Sequence, residues 1–192
     1  MGLKVHSLQN VPQTENRDFF IYLLDYGWHE PLSKTLRENF DLMAKKAAVN
    51  SAVVIQGTEI GHFEDEVFSW HGINGVDAED CLPAILITNT HPSHFRDRGF
   101  RPKRFYGLNA DPSQTLKLIL IPLKKVCTTT TDVASLIEKI FLDIENGKDL
   151  VNFKVTKELK AGVGRAFYDS LILEPNFNGL GFNIKQFFNY FK

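Results

Sequence analysis

The clearest structural signal in the chain is the stretch FFIYLLDYGWHEPL, from Phe19 to Leu32. Its first six residues form a continuous apolar run of strand length, which predicts a strand buried on both faces. Pro31 then stands where a helix accepts proline, in its first turn. Beyond it, apolar residues recur at helical spacing and form one stripe: Leu32, Leu36, Phe40, Met43 and Ala47. A buried strand followed directly by an amphipathic helix is typical of α/β proteins.

Apolar patterns further along the chain continue this alternation of strands and helices. Short apolar runs predict three more strands, at residues 52–55, 84–87 and 116–121. A second helical pattern opens at Gly61 and is closed by Gly72. The last core helix is predicted to be capped by Thr131 or Asp132 and to end at Gly147.

These patterns predict an α/β fold with a mixed sheet of about four or five strands flanked by helices. Strand–helix–strand units predict parallel pairing, whereas the last two strands have no helix between them and are expected to pair antiparallel. The connection 88–115 between those two strands predicts a long insertion. Residues 1–16 are expected to form a tail or an edge strand, residues 17–150 the domain, and residues 151–192 a C-terminal extension.

The end of the first predicted strand resembles the opening of thioredoxin-like proteins. In that superfamily a buried strand ends in an Asp and an aromatic residue, and the next helix begins at Trp-Cys-Gly-Pro-Cys. Here Asp25 and Tyr26 end the strand, and the run Trp28-His29-Glu30-Pro31-Leu32 opens the helix. The resemblance implies a thioredoxin-like sheet and covers about residues 18–147.

A second segment, Leu82-Pro83-Ala84-Ile85-Leu86-Ile87, resembles the loop that carries a cis-proline before the third thioredoxin strand. The resemblance implies that the peptide bond before Pro83 is cis. It also implies that Leu82 and Pro83 face the start of the first long helix, near Trp28, His29 and Glu30. Some members of the superfamily hold peptides or glutathione on the backbone of this loop.

The redox cysteines of the family are missing from this chain. His29 and Leu32 stand at their positions, so the resemblance implies a redox-inactive member without dithiol oxidoreductase activity and without a cofactor. The two cysteines present, Cys81 and Cys127, form no CxxC motif. Such usage fits a reducing compartment and buried, inert thiols.

Composition and charge are those of an ordinary globular protein. The chain has 192 residues, 43% of them apolar and 23% charged, with a formal net charge of -1. This balance gives no general reason to expect a polyanionic or cationic partner. No signal peptide is recognisable, and the longest apolar stretch, residues 116–123, is interrupted by Lys117 and Pro122. We therefore expect no membrane span and a cytoplasmic location, while the oligomeric state stays open.

Three residues are candidates for an enzymatic alternative at the thioredoxin-type active-site edge. His29 and Glu30 would lie at a helix N-terminus, which disfavours a protonated imidazole and leaves a neutral base. Cys81 would be a lone reactive thiol if that helix end lowered its pKa. The competing interpretation is that His29 and Glu30 are exposed surface residues and that Cys81 is buried.

Two groups of residues have the composition of metal sites, although no metal is expected. His91 and His94 are three residues apart, with Asp97 as the one obvious neighbour, whereas zinc sites need further ligands. The second group combines imidazoles and carboxylates without a common helical face: His62, Glu64, Asp65, Glu66 and His71.

The segment 95–106 interleaves five cations with four aromatic residues. Its candidate binding residues are Arg96, Arg98, Arg101, Arg104 and Phe105, together with Lys103. Cationic and aromatic side chains hold single-stranded nucleic acid, and Arg and aromatic residues are also enriched at protein–protein interfaces. A solvated loop that packs on its own domain is the third interpretation.

The C-terminus ends in an amphipathic pattern formed by Ile184, Phe187, Phe188 and Phe191. This stripe predicts a helix that docks on a partner, on a membrane surface or on its own domain. With only Lys185 and Lys192 nearby, attraction to a membrane is weak.

The leading functional hypothesis is a non-redox thioredoxin-like protein-interaction or scaffold subunit of a larger assembly. Its expected contact surfaces are Trp28 and Pro31 with Leu82 and Pro83, the loop 95–106, and the C-terminal Phe stripe. The alternatives are the enzyme described above and a nucleic-acid binder that uses the loop 95–106.

Overall fold

The computed structural model describes residues 1–13, 17–27, 31–71, 73–74, 81–96, 118–155, 172–173 and 182–183. Within these ranges the protein has an α/β fold with an open mixed sheet of five strands, which a two-residue strand extends at one edge. The strands are β1 Gly2–Val5, β2 Phe19–Leu24, β3 Ala52–Gly57, β4 Ile73–Asn74, β5 Ala84–Thr88, β6 Leu118–Pro122, β7 Ile172–Leu173 and β8 Phe182–Asn183. The main sheet has the order β1-β3-β2-β5-β6-β7, and β4 pairs separately with β8.

Two of the predicted strand directions are confirmed, those of β2 with β3 and of β5 with β6. The parallel direction predicted for the strand after α3 is wrong, because β5 runs antiparallel to β2 and therefore also to β3. β2 runs parallel to β3, because the helical connection between them returns the chain to the same end of the sheet. β5 and β6 pair antiparallel, and β5 is also antiparallel to β2. Residues 1–16 contribute an edge strand, since β1 pairs with β3 in parallel.

Two short strands come from the segment 151–192, which the sequence suggests is an extension. β7 pairs antiparallel with β6, and β8 pairs in parallel with β4. Both pairs join parts of the chain that are far apart in sequence, so local patterns give no sign of them.

Six helices lie in the described part of the chain. They are α1 Pro31–Glu38, α2 Phe40–Val49, α3 His62–Trp70, α4 Ser93–Arg96, α5 Leu123–Val126 and α6 Thr130–Glu145. Single 3-10 turns form at Leu8–Asn10 and Leu150–Asn152. The helix predicted to open at Gly61 is confirmed as α3, whereas its predicted closing residue, Gly72, lies outside the described residues. None of these helices is both long and apolar enough to cross a bilayer.

The helical stripe predicted from Leu32 to Ala47 is helical at each of its positions, but the structure divides it at Asn39 into α1 and α2. The side-chain amide of Asn39 donates to the carbonyl oxygen of Thr35 at 2.8 Å, where the backbone N–H of Asn39 also donates at 3.1 Å. The backbone of Asn39 has φ −85° and ψ 0°, which departs from helical values, so α1 ends and α2 begins at this residue.

The predicted cap of the last helix is also wrong. The N-cap of α6 is Thr129, and neither Thr131 nor Asp132 occupies that position. Oγ1 of Thr129 accepts the N–H of Asp132 at 3.2 Å, while Oδ2 of Asp132 accepts the N–H of Thr129 at 2.8 Å. This reciprocal pair is a capping box, in which Asp132 is the third helical residue. The predicted end at Gly147 is confirmed by the left-handed φ of 62° at that glycine.

The sheet separates two hydrophobic cores. Alternate residues of β2 point to opposite faces, so Ile21 and Leu23 pack with α1, α2 and α6, while Phe20, Tyr22 and Leu24 pack with α3. This explains why the whole strand after Phe19 is buried, as its continuous apolar sequence predicts.

Candidate functional site

The two segments singled out in the sequence meet at one end of the neighbouring strands β2 and β5. Leu24 at the end of β2 pairs with Ala84 at the start of β5, so Pro83 lies beside the residues that follow β2. The Leu82–Pro83 peptide bond is cis, as expected. Helix α1 begins at Pro31, shortly after β2 ends. We call this surface the cis-proline edge: residues 25–27, Ile60, Pro31, Leu82 and Pro83.

Asp25 holds the turn that leaves β2. Oδ1 of Asp25 accepts the N–H of Gly27 at 3.0 Å, and Oδ2 forms an ion pair with the guanidinium of Arg37 in α1. Gly27 has a φ of 72°, a conformation that glycine adopts without steric cost. The carboxylate therefore connects the end of β2 to the helix that follows it.

Glu64 connects the same turn to α3. It is 3% exposed, and its carboxylate accepts the N–H of Asp25 at 3.3 Å and the N–H of Gly61 at 2.8 Å. Burial is the largest effect on Glu64 and raises its pKa, and the charge of Asp25 acts in the same direction, whereas the three backbone hydrogen bonds lower it. Glu64 thus fastens the start of α3 to the end of β2 and positions the edge.

An exposed apolar side chain covers part of this edge. Ile60 is 65% exposed, and a Cβ built on Gly27 would lie only 2.6 Å from its Cδ1 atom. The ring of Tyr26 lies next to Gly61, and its hydroxyl donates to Asp65 at 2.9 Å. Ile60 is therefore an exposed apolar side chain beside the turn at Gly27, and it gives the cis-proline edge an apolar surface for contact.

The sequence-predicted residues of this edge differ in exposure. Pro31 is exposed, whereas Leu82 and Pro83 have buried side chains. Trp28, His29 and Glu30 lie outside the described residues, so their roles as binding or catalytic candidates stay predictions.

Both thiols of the chain are buried and neither is in a disulfide. Cys81 is 1% exposed and Cys127 is 4% exposed. Burial, assisted by the charge of Asp132, raises the pKa of Cys127 to about 11. The native fold therefore presents no accessible thiol to a disulfide substrate.

The acidic and imidazole side chains of α3 serve separate partners. Glu66 accepts the hydroxyl of Ser7 at 2.7 Å and the N–H of Leu8 at 2.6 Å, which attaches the N-terminal 3-10 turn to α3. His62 stacks on His6, with ring centroids 5.1 Å apart. Nδ1 of His71 lies 2.8 Å from the carbonyl oxygen of Val67. No group of three or more metal ligands forms among the described residues.

His91 and His94 follow β5 at the opposite end of the strands, where Phe20 near the start of β2 pairs with Thr88 at the end of β5. Nδ1 of His91 accepts the hydroxyl of Ser93 at 2.8 Å, and Nε2 donates to the carbonyl oxygen of Pro12 at 3.2 Å. Because both ring nitrogens are engaged, His91 has no nitrogen left for a metal ion.

The remaining candidates lie mostly beyond the described part of the chain. Phe95 is 9% exposed and packs on His71, with ring centroids 4.3 Å apart, so the first aromatic of the segment 95–106 belongs to the domain interior. Neither the side chain of Arg96 nor any part of Arg98, Arg101, Lys103, Arg104 and Phe105 is within the described structure. The same holds for Phe187, Phe188 and Phe191.

Sequence reasoning missed the carboxylate network at the cis-proline edge. Glu64 stands at the third helical position after the N-cap Gly61, where a glutamate can accept the N–H of the N-cap residue, and this spacing is the signal that would have indicated it. Comparison with known proteins adds no identification at this point, since no family model, curated protein or solved structure matches the chain.

Proposed function

We propose that this protein is a redox-inactive thioredoxin-like domain that binds a protein partner at the cis-proline edge, as a subunit of a larger assembly. The observation that carries the proposal is the position of the Leu82–Pro83 segment. The register places it beside the turn after β2, from which the chain continues to the first residue of α1.

The order of elements supports the thioredoxin-like part of the proposal. Without the short elements β4, α4 and α5, the described part of the chain from Phe19 to Glu145 runs in the order strand, helical segment, strand, helix, strand, strand, helix. The helical segment is α1 with α2. The resemblance implies the same order. Antiparallel pairing of the last two strands of this series is also consistent with it.

The burial of both cysteines supports the redox-inactive part. Disulfide exchange requires an accessible thiolate, and a substrate disulfide cannot reach a sulfur atom that is almost fully covered. Cys81 and Cys127 are 1% and 4% exposed, respectively. A catalytic thiol at Cys81, the enzymatic alternative, would need the fold to open first.

The exposed isoleucine supports the protein-binding part. Ile60 leaves 65% of its surface in water next to the turn formed by Tyr26 and Gly27. Covering an exposed apolar side chain removes its surface from water and so stabilises a complex, most of all where the partner excludes water completely. The partner would present an apolar side chain to Ile60.

The test is a quantitative pull-down with the full chain and two matched variants. Ile60→Asp places a charge on the cis-proline edge, while Val49→Asp places one at another exposed aliphatic residue, at the end of α2, which is 82% exposed. The partner bound by the wild-type protein is identified by mass spectrometry and then titrated in purified form. We expect Ile60→Asp to weaken binding about tenfold or more, or by at least 1.4 kcal/mol, and Val49→Asp to bind as the wild type does.

Two results would overturn the proposal. Equal affinity of the wild type and Ile60→Asp for the purified partner, with melting temperatures preserved, would remove the cis-proline edge as the interface. Catalytic reduction of insulin disulfides by the protein in the presence of dithiothreitol would show that it is not redox-inactive.

A further inference from the structure

Three exposed apolar side chains lie on the neighbouring helices α2 and α6. Leu42, Val49 and Leu142 are 44%, 82% and 43% exposed, respectively. Within the described part of the chain, one other large apolar side chain is exposed, Ile60 at the cis-proline edge. Single exposed apolar residues are ordinary on a monomer, whereas several on one surface indicate a contact with another molecule.

The core of the domain does not use these three side chains. α2 packs into the core through Phe40, Met43 and Ala47, whereas Leu42 and Val49 lie on its outer face. α6 likewise buries a separate apolar stripe in the same core and leaves its outer face to solvent. The folding of one chain therefore does not explain why the outer faces of both helices carry apolar residues.

An ion pair joins the outer faces of the two helices into one surface. Lys46 stands one turn after Leu42 and one turn before Val49 on α2, so the three share a face. Glu138 stands one turn before Leu142 on α6. Nζ of Lys46 lies 2.8 Å from Oε2 of Glu138. We call the surface formed by Leu42, Lys45, Lys46, Val49, Glu138, Leu142 and Glu145 the α2/α6 face.

The two helices of the α2/α6 face carry opposite charge. α2 has two lysines and one aspartate, so its net charge is +1, whereas α6 has four carboxylates and one lysine, so its net charge is −3. A two-fold axis that runs along the groove between the helices places α2 of one copy of the chain over α6 of the other. Cations then face anions on both sides of the axis, and the α2/α6 face is complementary to itself.

We propose that the α2/α6 face binds a second copy of this chain, so that Leu42, Val49 and Leu142 of both copies are covered in a two-fold symmetric dimer. Covering them removes apolar surface from water, and the opposite charges of the two helices fix which helix faces which. The inference does not depend on the proposed function, because the α2/α6 face and the cis-proline edge share no residue.

The first test is sedimentation velocity of the full chain over a wide range of concentrations. We expect an equilibrium between monomer and dimer, which Leu142→Glu and Val49→Asp each weaken about tenfold or more, or by at least 1.4 kcal/mol. Ile60→Asp, which changes an exposed isoleucine outside the face, is expected to dimerise as the wild type does. Val49→Asp and Ile60→Asp thus have opposite expected effects on self-association and on the partner of the cis-proline edge, so the two proposals fail separately.

The second test reverses one exposed charge on each helix and leaves the ion pair within the chain intact. Lys45→Glu places an anion on α2, and Glu145→Lys places a cation on α6. Each variant alone then brings like charges together on both sides of the axis, and we expect its self-association to weaken severalfold. An equimolar mixture of the two variants restores opposite charges on both sides, so we expect it to form a mixed dimer with about the affinity of the wild type.

A wild-type protein that stays monomeric at every concentration would overturn the proposal. So would a dimer that Leu142→Glu leaves unchanged while its circular dichroism spectrum is preserved. If Leu142→Glu does not fold, Val49→Asp decides the question, because its side chain is the most exposed of the three. Failure of the mixed Lys45→Glu and Glu145→Lys proteins to associate more tightly than either variant alone would contradict the arrangement of α2 over α6.

Discussion

The rings of Tyr22 and His71 lie against each other with centroids 5.2 Å apart, and each carries a buried polar atom that lacks a hydrogen-bond partner in the described part of the chain. Nδ1 of His71 donates to Val67, so its Nε2 is an acceptor. Burial lowers the pKa of His71 to about 4, and the ring is therefore neutral at neutral pH. The hydroxyl of Tyr22 is a donor, and its residue is fully buried.

The unpartnered hydroxyl of Tyr22 gives the first prediction. Tyr22→Phe removes a buried polar group that makes no hydrogen bond, so we expect the free energy of unfolding to rise by about 1 kcal/mol. The measurement is urea unfolding at neutral pH, followed by circular dichroism.

Tyr26→Phe is the matched control for Tyr22→Phe. The hydroxyl of Tyr26 is hydrogen-bonded to Asp65, so its removal is expected to lower stability by about 0.5–1 kcal/mol. A lower stability in Tyr22→Phe would mean that its hydroxyl has a partner after all, such as a buried water between it and His71.

A close contact between Gly57 and Phe63 gives the second prediction. A Cβ on Gly57 would lie 2.5 Å from the Cβ of Phe63, a ring that is fully buried against the sheet. Because neither Cβ atom can move without its backbone, Gly57→Ala is expected to lower the free energy of unfolding by about 3 kcal/mol.

Gly147→Ala separates this steric effect from the conformational cost of replacing a glycine. Gly147 has a φ of 62° with nothing within 4 Å of an added Cβ, so Ala should cost about 1 kcal/mol there. Urea unfolding of both variants measures the difference. If Gly147→Ala were the more damaging variant, the close packing of β3 on α3 would be refuted.

The folded elements were predictable where neighbouring residues determine them. The apolar run of β2 and the capping glycine Gly147 are local signals. The structure has a strand at the first and the end of α6 at the second. The break at Asn39 was not recognised, because it lies in the backbone dihedral angles of one residue, and the apolar stripe continues across it.

The candidate sites were less predictable, because they combine residues distant in sequence. The pairing of β2 with β5 brings Gln13 and Arg17 next to the segment 89–94, where they line one cleft. Glu64 reaches Asp25 only because α3 packs beside the end of β2. In the sequence Glu64 stands among other acidic residues, which explains its assignment to a candidate metal cluster.

The buried carboxylate of Asp143 gives the third prediction. The side chain of Asp143 has no exposed surface. Its Oδ1 accepts a hydrogen bond from Nζ of Lys148, and its Oδ2 accepts one from the backbone N–H of Lys154. Asp143→Asn keeps the size but removes the charge, and its amide cannot accept at both positions. We expect a loss of about 2–3 kcal/mol, below the full cost of breaking a buried pair, because the side chain of Lys148 is 29% exposed.

A second ion pair of α6 provides the control for Asp143→Asn. Lys46 and Glu138 are 2.8 Å apart, but the side chain of Glu138 is 58% exposed. Glu138→Gln is therefore expected to change the free energy of unfolding by less than about 1 kcal/mol. Equal effects of the two variants in urea unfolding would contradict the anchoring role of Asp143.

The capping carboxylate of Asp132 gives the fourth prediction, which concerns acid stability. Hydrogen bonds from the hydroxyl of Thr128 and the backbone N–H groups of Thr128 and Thr129 lower the pKa of Asp132 from 3.8 to about 2. Since the folded pKa is below the unfolded one, the unfolded chain binds more protons in this range. The stabilisation is therefore complete above about pH 4 and is lost as the pH falls towards 2.

Asp132→Asn tests this linkage, since an amide does not titrate and every other carboxyl is common to both proteins. The stability difference between the wild type and Asp132→Asn should be constant from pH 7 to 5 and should shrink between pH 4 and 2, as measured by urea unfolding at each pH. A difference that persists unchanged at pH 2 would mean that the carboxylate charge has no part in capping α6. The hydroxyl of Thr129, which accepts the N–H of Asp132, would then account for the cap, and Thr129→Ala would lower stability equally at every pH.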